Sequence, residues 1–221
     1  MVMLMTTVKR PIADKQTRSE RARATRLRIT KAAYALFCER GYSGTTMAEV
    51  AHAADVAVQT VYFVFHTKSE LLSRTYDFAV LGEDEPLPPE MQPWYAQMTA
   101  EPELADALRH MVSGIGTILA RAMPLDTVVR ASAASDPDAA RVRAFHERWR
   151  AEGYRTMVEV LRAKFPLREG VSPERATELL LMYVGEVYRI LVQDFGWTHD
   201  EWVDWTVATV SEQVFATARS D

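Results

Sequence analysis

The segment from residue 28 to residue 72 contains several helix starts in close succession, and their spacing constrains the fold more than any other feature. Two capping boxes, in which a threonine is followed three residues later by a glutamate, begin at Thr46 and at Thr67. We therefore expect a short helix over 45–53, a second over 57–64 and the start of a third after Thr67. An earlier helix is predicted from about residue 17 to residue 40 by apolar residues at helical spacing.

Two short helices joined by a three-residue turn are typical of a helix-turn-helix. Val50, Val56 and Val61 are spaced to fill the small core between the two helices, and Ala51 lies where the helices must approach closely. Because this motif lays its second helix in the major groove of DNA, the segment predicts a DNA-binding domain.

The same segment resembles the N-terminal domain of the TetR (tetracycline-repressor-like) family of transcriptional regulators. The resemblance is strong over about 1–80 and loose over 173–215, where the sequence is similar to the last two helices of many members. It implies a homodimer that binds double-stranded operator DNA and responds to a small molecule. The residues that carry it are Ile29, Ala32, Ala33, Leu36, Phe37, Gly41, Tyr42, Thr45, Thr46, Val50, Ala51, Ala54, Val56, Thr60, Val61, Tyr62, Phe65, Lys68, Leu71 and Leu72.

The resemblance also implies which residues contact DNA. Thr45 and Thr46 would place a hydroxyl and helix N-terminal N–H groups on a phosphate. Gln59 is the best reader of a base edge, because its amide can bond adenine bidentately. His66 is interpreted as a solvated loop residue, with a phosphate contact as the alternative. The residues expected at DNA are Thr45, Thr46, Val58, Gln59, Thr60, Tyr62, Phe63, Lys68, Arg18 and Arg21.

Two residues depart from the family pattern at the turn. Asp55 stands where a glycine is common, and Asp tolerates the left-handed conformation better than most residues. Ala57 stands at the cap of the second helix and has no oxygen with which to cap it, at a cost of about 1 kcal/mol. We expect the turn to form and its fine geometry to change.

The formal net charge of −4 conceals an uneven distribution. Residues 1–80 hold twelve Lys and Arg against seven Asp and Glu, a net of +5, whereas 81–221 hold fourteen against twenty-three, a net of −9. Residues 1–31 alone have a net charge of +7. We interpret 1–17 as a flexible basic arm that reaches phosphates or the minor groove, with a solvated tail as the alternative.

Composition excludes several classes of protein. The single cysteine, Cys38, rules out a disulfide scaffold and a cysteine-based zinc site. The five histidines lack metal-ligand spacing, and no P-loop, GxSxG or GxGxxG is present, so we expect no metal, no cofactor and no enzymatic activity. No apolar run approaches the ~18 residues of a membrane span, and the N-terminus lacks the order of a signal peptide. These features predict a cytoplasmic protein that does not bind a membrane.

The rest of the chain also follows helical patterns, so the predicted fold class is all-α. The segment 82–93 contains four prolines and four acidic residues and is taken as a domain boundary. The predicted domains are the arm 1–17, a helix-turn-helix domain 18–81 and a helical ligand-binding and dimerisation domain 82–221. Within the last, the expected helices are 101–121, 125–134, 137–165, 173–195 and 199–218.

The helix expected over 173–195 is apolar nearly all round and must therefore be covered on every side. A second copy of the chain is an economical cover, with two helices from each chain forming a four-helix interface. The residues predicted in this interface are Leu180, Val184, Val187, Leu191, Trp205 and Val210.

Candidates for a small-molecule pocket lie mainly on the helices expected over 101–121 and 137–165. Each is individually more often a packing residue than a ligand contact. Gly114 and Gly116 mark a bend, a space for a ligand or close packing. The pocket candidates are His110, Met111, Phe145, His146, Trp149, Met157, Tyr183 and Tyr188.

The favoured interpretation is a ligand-responsive repressor that a small apolar or aromatic molecule releases from its operator. Two alternatives remain open. One is a helical enzyme or small-molecule-binding protein that uses a C-terminal pocket, and the other is a ligand-independent DNA-binding regulator, which a filled second domain would favour.

Overall fold

The computed structural model describes residues 18–82 and 88–216, so the expected basic arm over 1–17 lies outside the described residues. Within the described ranges the regular structure is helical, with one isolated antiparallel bridge between Leu167 and Phe215. The predicted all-α class is confirmed. We refer to residues 18–82 as the head and to residues 88–216 as the body.

The head consists of α1 (Arg18–Arg40), α2 (Met47–Ala53), α3 (Val58–Phe65) and α4 (Lys68–Leu81). Thr46 and Glu49 form the predicted capping box at the start of α2, where each side chain accepts a hydrogen bond from the other's backbone N–H. Thr67 accepts from the N–H of Glu70 at the start of α4. A buried cluster holds the four helices together, and its largest fully buried members in the head are Phe37, Phe65, Ile29, Leu71 and Leu72.

The body consists of α5 (Pro93–Ala100), α6 (Leu104–Ala133), α7 (Pro137–Arg162), α8 (Pro173–Leu180) and α9 (His199–Val214), preceded by a 3₁₀ turn at Pro89–Met91. The chain stays helical beyond α8 in two π-helical segments, Leu181–Glu186 and Arg189–Asp194. The N–H of Phe195 donates to the carbonyl of Ile190, five residues back, at 3.0 Å. The helix expected over 173–195 is therefore continuous but partly widened.

Pro124 does not divide α6, and the prediction of two helices on either side of it was wrong. A proline inside a helix removes one backbone hydrogen bond and costs about 3 kcal/mol or more. Met123 and Leu125, its neighbours, are both buried and belong to different core clusters. Packing on both sides thus keeps the helix continuous. The short α5 was not predicted, because the prolines of 82–93 were taken to exclude a helix. Pro93 instead occupies the first position of α5, where a missing N–H carries no penalty.

Helix α6 is the central element, because its two ends belong to different cores. Leu125 and Val129 pack into the cluster of the head, together with Ala139 and Val142 of α7. The N-terminal part of α6 lies in the core of the body. By length and composition alone α6 could cross a membrane, but 56% of its most apolar window is buried inside the protein, as in the core helix of a soluble protein.

Candidate nucleic-acid interface and internal cavity

The turn between α2 and α3 has the geometry that the sequence predicts. Asp55 adopts a left-handed conformation with φ of 51°. The N–H of Val56 donates to the carbonyl of Ala51 at 3.0 Å, which ties the turn back to α2. Ala57 precedes α3 and provides no side-chain cap. Both departures from the family pattern are thus accommodated. Asp55 adopts the left-handed conformation that the turn requires, and α3 forms without a side-chain cap at Ala57.

Helix α3 buries one face and exposes the other. Val61 and Phe65 are fully buried and hold it against the head, whereas Phe63 is 84% exposed and Tyr62 is 51% exposed. Gln59 is also exposed, and Val58 and Thr60 are half-buried beside it. The residues of α3 that are predicted to contact DNA therefore share an accessible ridge that can enter a groove.

Thr45 does not present its hydroxyl to solvent, which corrects its expected role as a hydroxyl ligand of phosphate. It is 1% exposed, and its Oγ1 donates to carbonyls of Leu36 at 3.2 Å and Gly41 at 3.0 Å. The Thr46 hydroxyl is exposed but is held by the Glu49 carboxylate, whose pKa the Thr46 hydrogen bonds lower. Both threonines shape the turn before α2, and only its backbone N–H groups remain suited to an anion.

Exposed arginines surround the start of α1. Arg18 and Arg21 are exposed, as are Arg23, Arg26 and Arg28. The Arg26 guanidinium lies 5.9 Å from the centroid of the Phe65 ring, which brings α1 close to the end of α3. Lys68 is half-buried with its ammonium 4.3 Å from the centre of the Tyr42 ring, and burial lowers the pKa of Lys68.

A cavity of about 370 Å³ lies between the head and the body, in the range of small-molecule sites. Its wall comes from α4, α5, α6 and α7 and is mostly apolar. Of the predicted pocket residues, His146, Trp149 and Met157 line it.

The other five predicted pocket residues do not line this cavity. Met111 and Tyr188 are buried in the core of the body, because both point into its packed centre. His110 lies 3.7 Å from the Glu101 carboxylate. Phe145 is 48% exposed, and Tyr183 packs edge-on against the indole of Trp205.

Sequence reasoning missed several wall residues, among them Tyr76, Trp94, Asp126, Arg150 and Tyr154. They come from four different helices and share no local spacing. Gly114 was the one available signal. A Cβ at this position would lie 2.2 Å from the Trp94 ring, so the glycine provides a seat for the indole. Gly116 likewise allows close packing of His199 and Trp202.

Two charged residues of the cavity wall, Asp126 and Arg150, belong to a chain of hydrogen-bonded ion pairs. Asp126 accepts from the Tyr76 hydroxyl at 2.8 Å and from Arg130 at 2.6 Å. Glu186 accepts from Arg130 at 2.7 Å and from Arg150 at 3.1 Å. These bonds connect α4, α6, α7 and the first π-helical segment.

Tyr76 joins the cavity to the head. Its ring stacks on that of His146, with centroids 4.1 Å apart, and Ser73 on the same helix lies 3.4 Å from the His146 Nε2. Burial and the Asp126 carboxylate raise the pKa of Tyr76, so its hydroxyl remains a donor. Tyr76 and Ser73 thus connect the cavity wall to α4, which begins three residues after α3 ends.

Three of the predicted interface residues cannot contact a second chain. Leu180, Val184 and Val210 have no exposed surface, because they form the core between α8, α9 and α6. Val187, Leu191 and Trp205 are half-buried. Sequence reasoning missed the apolar residues that this region does expose, which are Met182, Ile190 and Phe195.

Comparison with known proteins supports this description of the head and the fold. The sequence profile of the bacterial regulatory proteins of the tetR family matches residues 29–75. No curated protein matches the chain.

Two solved structures share the fold over most of the chain. One is NalD, the secondary repressor of the MexAB-OprM multidrug efflux pump in Pseudomonas aeruginosa; it is 19% identical with a TM-score of 0.68, and the match covers 89% of this chain and 100% of NalD. The other is the TetR-family transcriptional regulator PfmR from Thermus thermophilus, 19% identical with a TM-score of 0.58 over 84% of this chain and 98% of PfmR.

The helix-turn-helix, its exposed α3 ridge and the profile match all lie in the head, and the helical body completes the shared fold. The head accordingly contains an N-terminal domain of the tetR family of bacterial regulatory proteins, and the chain as a whole shares the fold of solved TetR-family structures.

Proposed function

We propose that this protein is a cytoplasmic homodimeric repressor that leaves its operator when a small apolar or aromatic molecule occupies the cavity. One observation carries the proposal: Tyr76 forms part of the cavity wall and also belongs to the helix that follows α3. A mostly apolar cavity of this size favours this function over a ligand-independent regulator, for which a filled body is expected.

The head supplies the DNA contacts in this proposal. The ridge formed by Gln59, Tyr62 and Phe63 enters the major groove, and the exposed arginines of α1 contact phosphates. Val58 and Thr60 border the ridge and can contact a thymine methyl. Phosphate contacts give affinity that falls with salt, whereas the ridge gives sequence preference.

The response to a ligand follows from linkage between two conformations. A ligand that binds better to the form with misaligned α3 helices lowers operator affinity by the same coupling factor. Insertion near Tyr76 and His146 changes their stack and thereby the position of α4. No contact between the ligand and the DNA is needed.

The dimer supplies the second α3 helix. We propose that the apolar residues exposed around the π-helical segments, Met182, Ile190 and Phe195, meet a second copy of the chain together with Val187, Leu191 and Trp205. Two α3 helices about 34 Å apart would then reach successive major grooves on one side of the duplex.

The test is gel retardation of the DNA upstream of the protein's own coding region by the purified full chain, over a series of salt concentrations. We expect sequence-specific retardation that weakens with salt and is reversed by an apolar compound that binds the protein. The absence of specific retardation on every fragment would refute the proposed function. Retardation that no bound compound reverses would instead favour the ligand-independent regulator.

A further inference from the structure

The cavity wall contains charged residues, but they are already paired. Asp126 is held by Arg130 and by the Tyr76 hydroxyl, and Arg150 is held by Glu186. Glu152, at the outer part of the wall, forms an ion pair with Arg155 at 2.9 Å. Each of these charges therefore has an opposite charge within contact distance before any ligand enters.

Burial raises the pKa of the tyrosines of the wall, so they are neutral at neutral pH, and the other two ionisable groups, His146 and Glu90, do not supply a counter-charge either. Burial lowers the pKa of His146, although Asp77 and Asp126 act in the opposite direction, so its ring is neutral at neutral pH. Glu90 is exposed at the rim and keeps its hydration. The inner part of the cavity is thus electrically balanced among the described residues.

A charged guest in this space would lose its hydration without gaining an unpaired counter-charge. The penalty for removing an ion from water is several kcal/mol, and it is recovered only where an opposite charge and further hydrogen bonds are available. An anion at Arg150 would also face the Glu186 carboxylate, and a cation at Asp126 would also face the Arg130 guanidinium, so attraction to the partner is offset by repulsion from the charge that already neutralises it. Such a site rejects ions by the cost it imposes on them.

An uncharged guest loses little hydration and gains contacts with the apolar part of the same wall. Trp94, Ile118 and Met123 offer apolar and aromatic surface, and the indole of Trp94 is fixed by its seat on Gly114. Arg150 has five N–H donors, of which one donates to Glu186, so an oxygen of the guest can accept from another. At about 30 Å³ for each water-sized volume, 370 Å³ holds about twelve non-hydrogen atoms.

We propose that the cavity selects uncharged aromatic molecules of about this size that carry one hydrogen-bond-accepting oxygen, and that it excludes anions and cations of the same shape. The acceptor oxygen lies at Arg150 and the apolar part lies toward Trp94 and Met123. This inference deepens the proposed function, on which it rests, by assigning the chemical class of the effector.

Three probes with the same ring system test the proposal: 2-acetonaphthone, 2-naphthoate and 2-naphthylmethylammonium. Calorimetric titration of the wild-type full chain at neutral pH measures each affinity directly, without DNA. We expect the ketone to bind at least about tenfold more tightly than either ion. An ion that binds as tightly as the ketone would overturn the proposal, as would a failure of the ketone to bind.

A pair of variants locates the bound ketone. Trp94→Ala removes an indole from the wall and is expected to weaken ketone binding about tenfold, whereas Trp197→Ala removes one that does not line the cavity and should leave the affinity unchanged. Thermal unfolding without probe establishes that each variant is folded. Equal losses in the two variants would place the ketone elsewhere and overturn the assignment.

Gel retardation with the same protein preparation separates this inference from the proposed function. Specific DNA binding by a protein that prefers one of the ions would overturn the ligand class alone. Ketone binding without specific DNA binding would overturn the proposed function and leave the selectivity of the cavity established.

Discussion

The α3 ridge and the cavity are built from residues at very different distances along the chain. The ridge lies within one eight-residue helix, and the turn that orients it lies immediately before it. The cavity brings Tyr76 of α4 together with His146 of α7, which lies 70 residues later. A surface made by neighbouring residues can be altered without changing the stability of the protein. A cavity wall cannot, because its residues also belong to the surrounding cores.

Leu125 is the strongest test of that separation, because it belongs to α6 of the body but packs in the core of the head. We expect Leu125→Ala to lower the free energy of unfolding by about 2–5 kcal/mol and to weaken DNA binding as well. Leu108→Ala, on the same helix but buried in the core of the body and away from the cavity, is the control. It is also expected to cost about 2–5 kcal/mol, but DNA binding by the folded protein should be normal. A loss of DNA affinity in Leu125→Ala no larger than that in Leu108→Ala would contradict the shared role of Leu125.

Tyr76→Phe tests the contact between the cavity and the head. The variant removes the hydroxyl that donates to the Asp126 carboxylate, and we expect the free energy of unfolding to fall by about 1.5–3 kcal/mol. Tyr34→Phe is the matched control, since the Tyr34 hydroxyl donates to the neutral carbonyl of Arg121 at 2.8 Å. Its expected cost is about 0.5–1.5 kcal/mol. Urea unfolding followed by circular dichroism measures the free energy of unfolding of both variants. A larger loss for Tyr34→Phe would show that the Tyr76 hydrogen bond contributes less than the Tyr34 hydrogen bond.

Gln59→Ala tests the independence of the ridge. Loss of a bidentate base contact is expected to reduce operator affinity by about 1–3 kcal/mol and to relax the preference at one base pair. The free energy of unfolding should stay within about 0.5 kcal/mol of wild type, because the side chain is exposed. Gln213→Ala, exposed on α9, is the control and should leave both quantities unchanged. Retention of the base preference in Gln59→Ala would exclude this residue as a reader.

Gly114→Ala has the smallest expected effect and tests the seat of Trp94. The added methyl group meets the indole, so overpacking costs about 1–3 kcal/mol, and the better helix propensity of alanine returns about 1 kcal/mol. Gly153→Ala on α7 is the control: nothing lies within 4 Å of its Cβ, and we expect a gain of up to about 1 kcal/mol. Stabilisation by both substitutions would mean that Trp94 moves aside without cost.

The different sequence separations of the residues that form the ridge and the cavity also explain what could be predicted from the sequence. The capping box at Thr46, the left-handed conformation of Asp55 and the missing cap at Ala57 depend on contacts within a few residues, and all three were predicted. The continuity of α6 through Pro124 depends on distant packing that no local pattern records.

Long-range packing also separated the predicted site residues into two groups. His146, Trp149 and Met157 line the cavity, whereas Met111 and Tyr188, which are equally apolar or aromatic, fill the core. In the two π-helical segments after α8, periodicity identified apolar positions but could not distinguish Val184, which faces inward, from Ile190, which faces solvent. The π-helical winding adds to this difficulty, since it changes the period on which such predictions depend.

The uncapped start of α3 has a consequence for the stability of the ridge. A missing cap costs about 1 kcal/mol, and this cost applies to the folded helix whether or not anything is bound to it. A cost of this size corresponds to about a fivefold larger population of molecules in which the first turn of α3 is open. Ala57 therefore affects how often the ridge is fully formed and not which surface the ridge presents.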